Sequence, residues 1–280
     1  MNELKKVITL KDLWDARATL PTPIGLVPTM GFLHEGHLSL VKRARSELAS
    51  VVVSIFVNPT QFAPTDDLNA YPRDLERDIA LLEKAGANLL WMPTPEIMYP
   101  PDYQTWVNVD KITKPLEGKK RPGHFRGVTT IVAKLFNAIQ PQVAYFGQKD
   151  AQQVAVIKQM VRDLNMPIEI IASPIIRERD GLAMSSRNTY LNPAERQAAL
   201  VLSKSLEAAK SAYQNGERNA QILRVKMEEV INAEPLARLE YISCADYDQL
   251  NEIEKIEKKT LLSMAVYIGK TRLIDNEVLG

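Results

Sequence analysis

Apolar residues along this chain recur in two patterns, and their alternation predicts its architecture. Ile24-Gly25-Leu26-Val27 and Val51-Val52-Val53-Ser54-Ile55-Phe56-Val57 are short apolar runs without polar alternation, as in strands buried on both faces. The segments 88–92, 143–147 and 168–172 repeat that pattern. Helical spacing fills the intervals. Thr9 precedes Leu10, Leu13, Trp14 and Arg17, which predicts a capped helix over 9–20, closed off by Pro21 and Pro23. Leu38, Leu40, Val41, Ala44 and Leu48 form a second stripe. Residues 68–85 read as a third helix stopped by Gly86, and 128–139 as a fourth. The helix after Gly147 carries Val154, Ile157, Met160, Val161 and Leu164 on its apolar face. Strand and helix alternate to about residue 175, so 1–175 is expected to form a Rossmann-like α/β domain with a doubly wound parallel sheet.

Two stretches fall outside that rhythm. Residues 104–109 read as a short extra strand after the prolines at 93, 95, 100 and 101. Beyond 175 the chain turns to Ala-, Glu- and Lys-rich helices, predicted over 192–213 and 217–233, followed by strands at 239–245 and 261–268. That order predicts a second, smaller α+β domain over 176–280.

Composition adds bounds. With 45% apolar and 25% charged residues, the 280-residue chain sits at the globular average, and its net charge of +1 gives no global footprint for nucleic acid or an anionic membrane. Cys244 is the single cysteine, which excludes an intramolecular disulfide and a thiolate metal cage. The N-terminus is charged rather than a signal core, and no window approaches the roughly 18 apolar residues of a membrane span. A reducing cytoplasm is the expected compartment.

Candidate chemistry clusters where strands meet helices. Pro28-Thr29-Met30-Gly31-Phe32-Leu33-His34-Glu35-Gly36-His37 joins the first strong strand to a helix, the geometry in which phosphates meet backbone N–H groups at a helix N-terminus. Its imidazoles add donors aimed at a phosphate whose charge grows in a transition state, which points to adenylate chemistry. The helix dipole favours a neutral His37. A zinc site is the competing reading, but it lacks a cysteine and an obvious third ligand. All three histidines, His34, His37 and His124, stand beside glycines, His124 in the basic loop Lys119-Lys120-Arg121-Pro122-Gly123-His124.

Asn58-Pro59-Thr60-Gln61-Phe62 ends a buried strand, and Gln61 offers an uncharged donor and acceptor. That suits an acid whose carboxylate must stay nucleophilic. Asp74 and Asp78 fall at i, i+4 of the third helix, either as a solvated first turn or as a carboxylate reaching Mg²⁺ on nucleotide phosphates. Gly147-Gln148-Lys149-Asp150 is a second strand-glycine-helix junction, with Gln153 one turn on. Arg177 to Asn188 includes Met184-Ser185-Ser186-Arg187 and reads either as a connector or as a lid clamping triphosphate.

Together these segments resemble the pantoate–β-alanine ligase family. The match is collinear over 22–190. It rests on Pro28-Thr29-Met30-Gly31-x-Leu33-His34-x-Gly36-His37, Phe56-Val57-Asn58-Pro59-x-Gln61-Phe62, Tyr71-Pro72-Arg73, Arg121-Pro122-Gly123-His124-Phe125, Phe146-Gly147-x-Lys149-Asp150-x-Gln152-Gln153 and Arg177-Glu178-x-Asp180-Gly181-Leu182-Ala183-Met184-Ser185-Ser186-Arg187-Asn188. His34-x-Gly36-His37 and Met184-Ser185-Ser186-Arg187 are also similar to the HIGH and KMSKS signatures of the wider nucleotidyltransferases, with Arg187 departing from the second. The resemblance implies that pantoate attacks MgATP to give pantoyl adenylate and pyrophosphate, and that β-alanine then releases AMP and pantothenate. It further implies an ATP site of Met30, Gly31, Phe32, Leu33, His34, Glu35, Gly36, His37, Gly147, Gln148, Lys149, Asp150, Ile176, Met184, Ser185, Ser186 and Arg187. His34, His37, Lys149 and Arg187 would be catalytic. Gln61 and Gln153 would bind pantoate, Gln61 also β-alanine, and Asp78 would serve Mg²⁺. A homodimer is implied as well; Arg121 and His124 receive no role.

Two rivals remain. A nucleotidyltransferase acting on a phosphate acceptor would share the His-x-Gly-His turn but has no use for Gln61 with Gln153. A nucleotide-sensing or RNA-binding module is disfavoured by the net charge and the full catalytic set.

Overall fold

The computed structural model describes residues 3–63 and 68–280, which divide into two compact units: Met1–Gln148 with Val156–Pro174, and Lys149–Ala155 with Ile175–Gly280.

The first unit is a six-stranded sheet, parallel throughout: β1 (Lys5–Val7), β2 (Ile24–Thr29), β3 (Ser50–Ile55), β4 (Leu89–Trp91), β5 (Val143–Gly147) and β6 (Glu169–Ser173), in the spatial order β1-β4-β3-β2-β5-β6. Helices α1 (Leu10–Arg17), α2 (Glu35–Glu47), α3 (Leu75–Ala85), the short α4 (Pro95–Met98) and α5 (Glu117–Lys120), α6 (His124–Ile139) and α7 (Ala151–Asp163) connect the strands. The doubly wound parallel sheet is the predicted one. From β2 the sheet grows one way through β3 and the other way through β5, so the topological switch point lies at the carboxyl ends of β2 and β5. Pairing between these strands stops at Leu26–Ala144, although they run on to Thr29 and Gly147. Val27, Leu33, Val41, Val53, Leu90 and Tyr145 are buried in a core on one side.

Several boundaries differ from expectation, each for a local reason. β1 was not predicted: it is only Lys5-Lys6-Val7, with the lysines exposed, too short to show a period. The third helix begins at Leu75, not 68, because Asp74 caps it, its carboxylate accepting the Arg77 N–H at 3.2 Å. Asp74 therefore does not share a helix face with Asp78. Residues 104–109 form no strand; instead Thr130 Oγ1 accepts the Val107 N–H at 3.0 Å and Thr129 Oγ1 donates to the Val107 carbonyl at 2.7 Å. Threonine side chains of α6 do there what a neighbouring strand would do.

The second unit holds the antiparallel sheet β7 (Ala237–Asp246), β8 (Thr260–Ile268) and β9 (Thr271–Leu279), with α8 (Pro193–Ala198), α9 (Leu200–Gln214) and α10 (Ala220–Asn232). Its core packs Leu202, Leu206, Leu223, Met227 and Ile231 with Leu262, Met264 and Val266. The helix expected over 192–213 is split at Ala199, and the next starts at Ala220, capped by Asn219. β9 escaped prediction because buried Asp275 and Asn276 break its apolar run.

Candidate active site

In the first unit the Met30–His37 turn leaves β2 at the switch point. Gly31 and Phe32 both have positive φ, +83° and +50°. For glycine that is free; for phenylalanine it is strained and must be held. Asp78 of α3 holds it. One carboxylate oxygen accepts the Phe32 N–H at 2.6 Å and the other the Leu33 N–H at 2.7 Å, while the side chain is buried. Burial pushes the Asp78 carboxyl above its ordinary range, and those two backbone bonds pull it back.

Two histidines build the start of α2. His34 Nδ1 accepts the Gly36 N–H at 3.1 Å, and His37 Nδ1 accepts the His34 N–H at 3.3 Å, a reciprocal cap made of imidazoles. Accepting at Nδ1 places each neutral ring's proton on Nε2. The rings lie 4.0 Å apart between centroids, tilted by 34°. Gly31 N–H donates to Thr29 Oγ1 at 3.2 Å and His37 N–H to the His34 carbonyl at 2.9 Å. This corrects the backbone-cradle expectation: the N–H groups of Gly31, Phe32, Leu33, His34, Gly36 and His37 are engaged within the unit. Glu35 pairs with Lys42 at 3.0 Å on the surface.

The structure joins this turn to the Gln61 turn. Gln61 Nε2 donates to Met30 Sδ at 3.3 Å, and its Oε1 accepts from Asn58 Nδ2 at 3.1 Å. Asn58 is buried; Nδ2 also donates to the Gly127 carbonyl at 3.2 Å, and Oδ1 accepts from Tyr99 at 2.9 Å and from the Thr60 hydroxyl at 3.0 Å. Asn58 is thus the keystone of the Pro59–Gln61 turn. Arg121 and His124 also meet Gln61, through its main chain.

Asp78 does not fit the expected direct contact with Mg²⁺. Its carboxylate is buried and both oxygens hold the strained turn. Among the described residues, no three His, Cys, Asp or Glu side chains group to hold a metal ion.

In the second unit, Gln148–Asp150 is a 3₁₀ turn shared with the first unit at its leading residue, and α7 follows, carrying Gln153. The Lys149 carbonyl accepts from Asn276 Nδ2 of β9 at 2.9 Å. The loop at 176–188 is tied into shape. Met184 N–H donates to the Ile176 carbonyl at 3.0 Å, and Arg177 forks onto buried Asp275 at 2.6 and 3.0 Å while reaching the Gly181 carbonyl at 3.1 Å. Ser185 Oγ caps the following 3₁₀ turn, accepting the Arg187 N–H at 3.3 Å; Ser186 is buried and Arg187 half-buried. Sequence reasoning missed Asp275 and Asn276, whose one signal was an acid-amide pair inside an apolar run. It missed Asn58 as keystone and Tyr99 altogether.

A family model described as pantoate-beta-alanine ligase matches residues 2–278. The chain belongs to the pantoate–β-alanine ligase family. It is 61% identical over 257 residues to the pantothenate synthetase of Thermoanaerobacter sp. (strain X514), covering 92% of this chain and 91% of that one. Against the pantothenate synthetase of Roseiflexus castenholzii it is 56% identical over 276 residues, 99% of each. The crystal structure of pantothenate synthetase from Thermus thermophilus matches with a TM-score of 0.94 at 46% identity, over 98% of this chain and 99% of that one. A pantoate-beta-alanine ligase from Francisella tularensis, complexed with beta-gamma ATP and beta-alanine, matches with a TM-score of 0.79 at 36% identity, over 98% and 97%. Membership makes the chain a ligase that joins pantoate to β-alanine.

Proposed function

We propose that catalysis runs in two steps. A pantoate carboxylate oxygen attacks the α-phosphorus of ATP, breaking the α–β bridge to give pantoyl adenylate and pyrophosphate. The amine of β-alanine then attacks the acyl carbon, loses a proton and expels AMP, leaving pantothenate. The observation that carries this reading is the imidazole cap: both Nδ1 atoms face backbone N–H groups, so both Nε2–H groups serve as oriented, neutral donors. His34 and His37 stabilise charge on the phosphates, and Lys149, Ser185, Ser186 and Arg187 add cationic and hydroxyl donors. Stabilisation rather than proton transfer is the role of His37, since departing pyrophosphate scarcely needs a proton.

Gln61 and Gln153 bind pantoate, and Gln61 also meets β-alanine. Met30, Gly31, Phe32, Leu33, Glu35, Gly36, Gly147, Gln148, Asp150, Ile176 and Met184 complete the ATP site. ATP would bring Mg²⁺ with it, which would supply neutralising charge for the phosphates. Residues 1–175 act as the ATP- and pantoate-binding domain and 176–280 as a lid, which suits an acyl adenylate that water would destroy. Resemblance to the family supports a homodimer, and the lone cysteine suits the cytoplasm; sedimentation and localisation of a tagged chain test these. The chemistry is tested by pyrophosphate release that requires pantoate, followed by AMP release that requires β-alanine. Pyrophosphate release without pantoate would overturn it.

A further inference from the structure

The Gln61 carboxamide sits on a turn of three residues, Pro59–Gln61, closed by two long backbone bonds, Gln61 N–H to the Asn58 carbonyl at 3.4 Å and Phe62 N–H to the Pro59 carbonyl at 3.2 Å. So short a 3₁₀ segment does not fix the aim of a side chain by itself. The first residue of α6 and the residue that ends α5 grip it from outside. His124 Nδ1 lies 2.9 Å from the Gln61 carbonyl oxygen, and Arg121 Nη2 reaches the same oxygen at 3.4 Å. A carbonyl can only accept, so Nδ1 carries the proton. Arg121 Nη1 stands 3.3 Å from His124 Nε2 and can only donate, so Nε2 carries none. His124 is thereby held as the Nδ1–H tautomer, opposite to His34 and His37. One turn on, Gly127 lets the helix close up: a Cβ there would lie 2.4 Å from the Thr60 carbonyl oxygen and 2.7 Å from the Gln61 nitrogen.

We propose that His124, braced by Arg121, is a positioning residue for pantoate. It touches no substrate and acts by holding the main chain of Gln61, so that the carboxamide, bonded to Asn58 and Met30, presents one fixed pattern to the acid. This rests on the assignment of Gln61 to pantoate. A misplacement of about 1 Å at such a group can cost up to about a hundredfold.

The test compares His124→Ala, His124→Asn, Arg121→Ala and Gln61→Ala in steady-state assays varying pantoate, β-alanine and ATP separately. His124→Ala is expected to raise KM for pantoate about tenfold or more, while KM for ATP stays within about twofold. His124→Asn places an amide N–H near the lost Nδ1–H and recovers most of the affinity; Arg121→Ala gives a smaller rise. His124→Ala on top of Gln61→Ala adds little. If Gln61→Ala raises KM for pantoate and His124→Ala does not, the positioning inference falls and the assignment of Gln61 stands. If Gln61→Ala leaves that KM unchanged, the assignment itself falls. A parallel rise in all three KM values, with no recovery in His124→Asn, marks a merely structural role and also overturns the proposal.

Discussion

The turn at 30–37 and the turn at 58–61 lie at the carboxyl ends of neighbouring strands, yet they are held in opposite ways. In the first, most of the bonds are local. His34 and His37 cap the helix they begin and Thr29 receives Gly31, while Asp78 and the Gln61 carboxamide arrive from elsewhere. In the second, Asn58 and Gln61 are fixed by groups from distant segments: Tyr99, the Gly127 carbonyl, and Arg121 with His124. A phosphate-facing turn needs rigid donors in a fixed pattern, which a helix N-terminus supplies cheaply. A turn that selects one small acid needs a side chain aimed from several directions at once, which local sequence cannot provide.

The comparison is broken first at its strongest point. His37→Ala removes a charge-stabilising donor and half of the imidazole cap, and is expected to lower pantoate-dependent pyrophosphate release about a hundredfold or more, with circular dichroism unchanged. Lys149→Ala should match it. Near-normal release in either variant would falsify the assignment.

Asp78→Asn comes next. The amide can accept only one of the two N–H bonds and presents its own donors to the other, leaving a buried N–H unmet at a cost of about 1–3 kcal/mol. Denaturant unfolding reads that loss. Activity should fall while its dependence on Mg²⁺ concentration stays unchanged; a large rise in the Mg²⁺ requirement would return Asp78 to the metal. The pH profile carries a sign. Because burial raises the folded carboxyl above its unfolded value, the native state binds the proton first as pH falls. Stability therefore declines as pH rises through the window just above the ordinary carboxylate range, and Asp78→Asn removes that slope.

Gly127→Ala probes the second turn without touching a polar group. Its Cβ would collide with the Thr60 carbonyl, and overpacking of this kind costs about 1–3 kcal/mol. KM for pantoate should rise while the phosphate-facing turn is spared, seen as an unchanged KM for ATP. The smallest effect belongs to Tyr99→Phe. Burial pushes the Tyr99 phenol up to about 12, so it remains a donor to Asn58 throughout the working pH range. Asn58 Oδ1 keeps its Thr60 contact, and the loss should be near 1 kcal/mol or less. A larger change in pantoate affinity than in stability would show that Asn58 is more delicately set than its bonds suggest.

The same contrast explains which parts could be read in advance. The parallel sheet was legible because Val51 to Val57 and its companions are apolar on both faces, a pattern only a covered sheet accepts. The His34-x-Gly36-His37 turn was legible because its caps lie within three residues of each other. The role of Asp78 was not: its partners are Phe32 and Leu33, more than forty positions away, and from sequence it looked like an exposed first-turn acid. Arg121 and His124 carried no readable role for the same reason. β9 was hidden because Asp275 is buried against Arg177, nearly a hundred residues earlier, so its polarity reported a tertiary pair rather than solvent.

By itself, then, the sequence determined the strand-helix alternation, the place of the His34–His37 turn between a strand and a helix, and the chemical types gathered there, because short-range periodicity and capping are local physics. Tertiary structure alone decided which nitrogen of His124 carries the proton, which carboxylate holds the strained turn, and what aims Gln61. Those depend on hydrogen-bond partners that only folding brings within about 3 Å of one another.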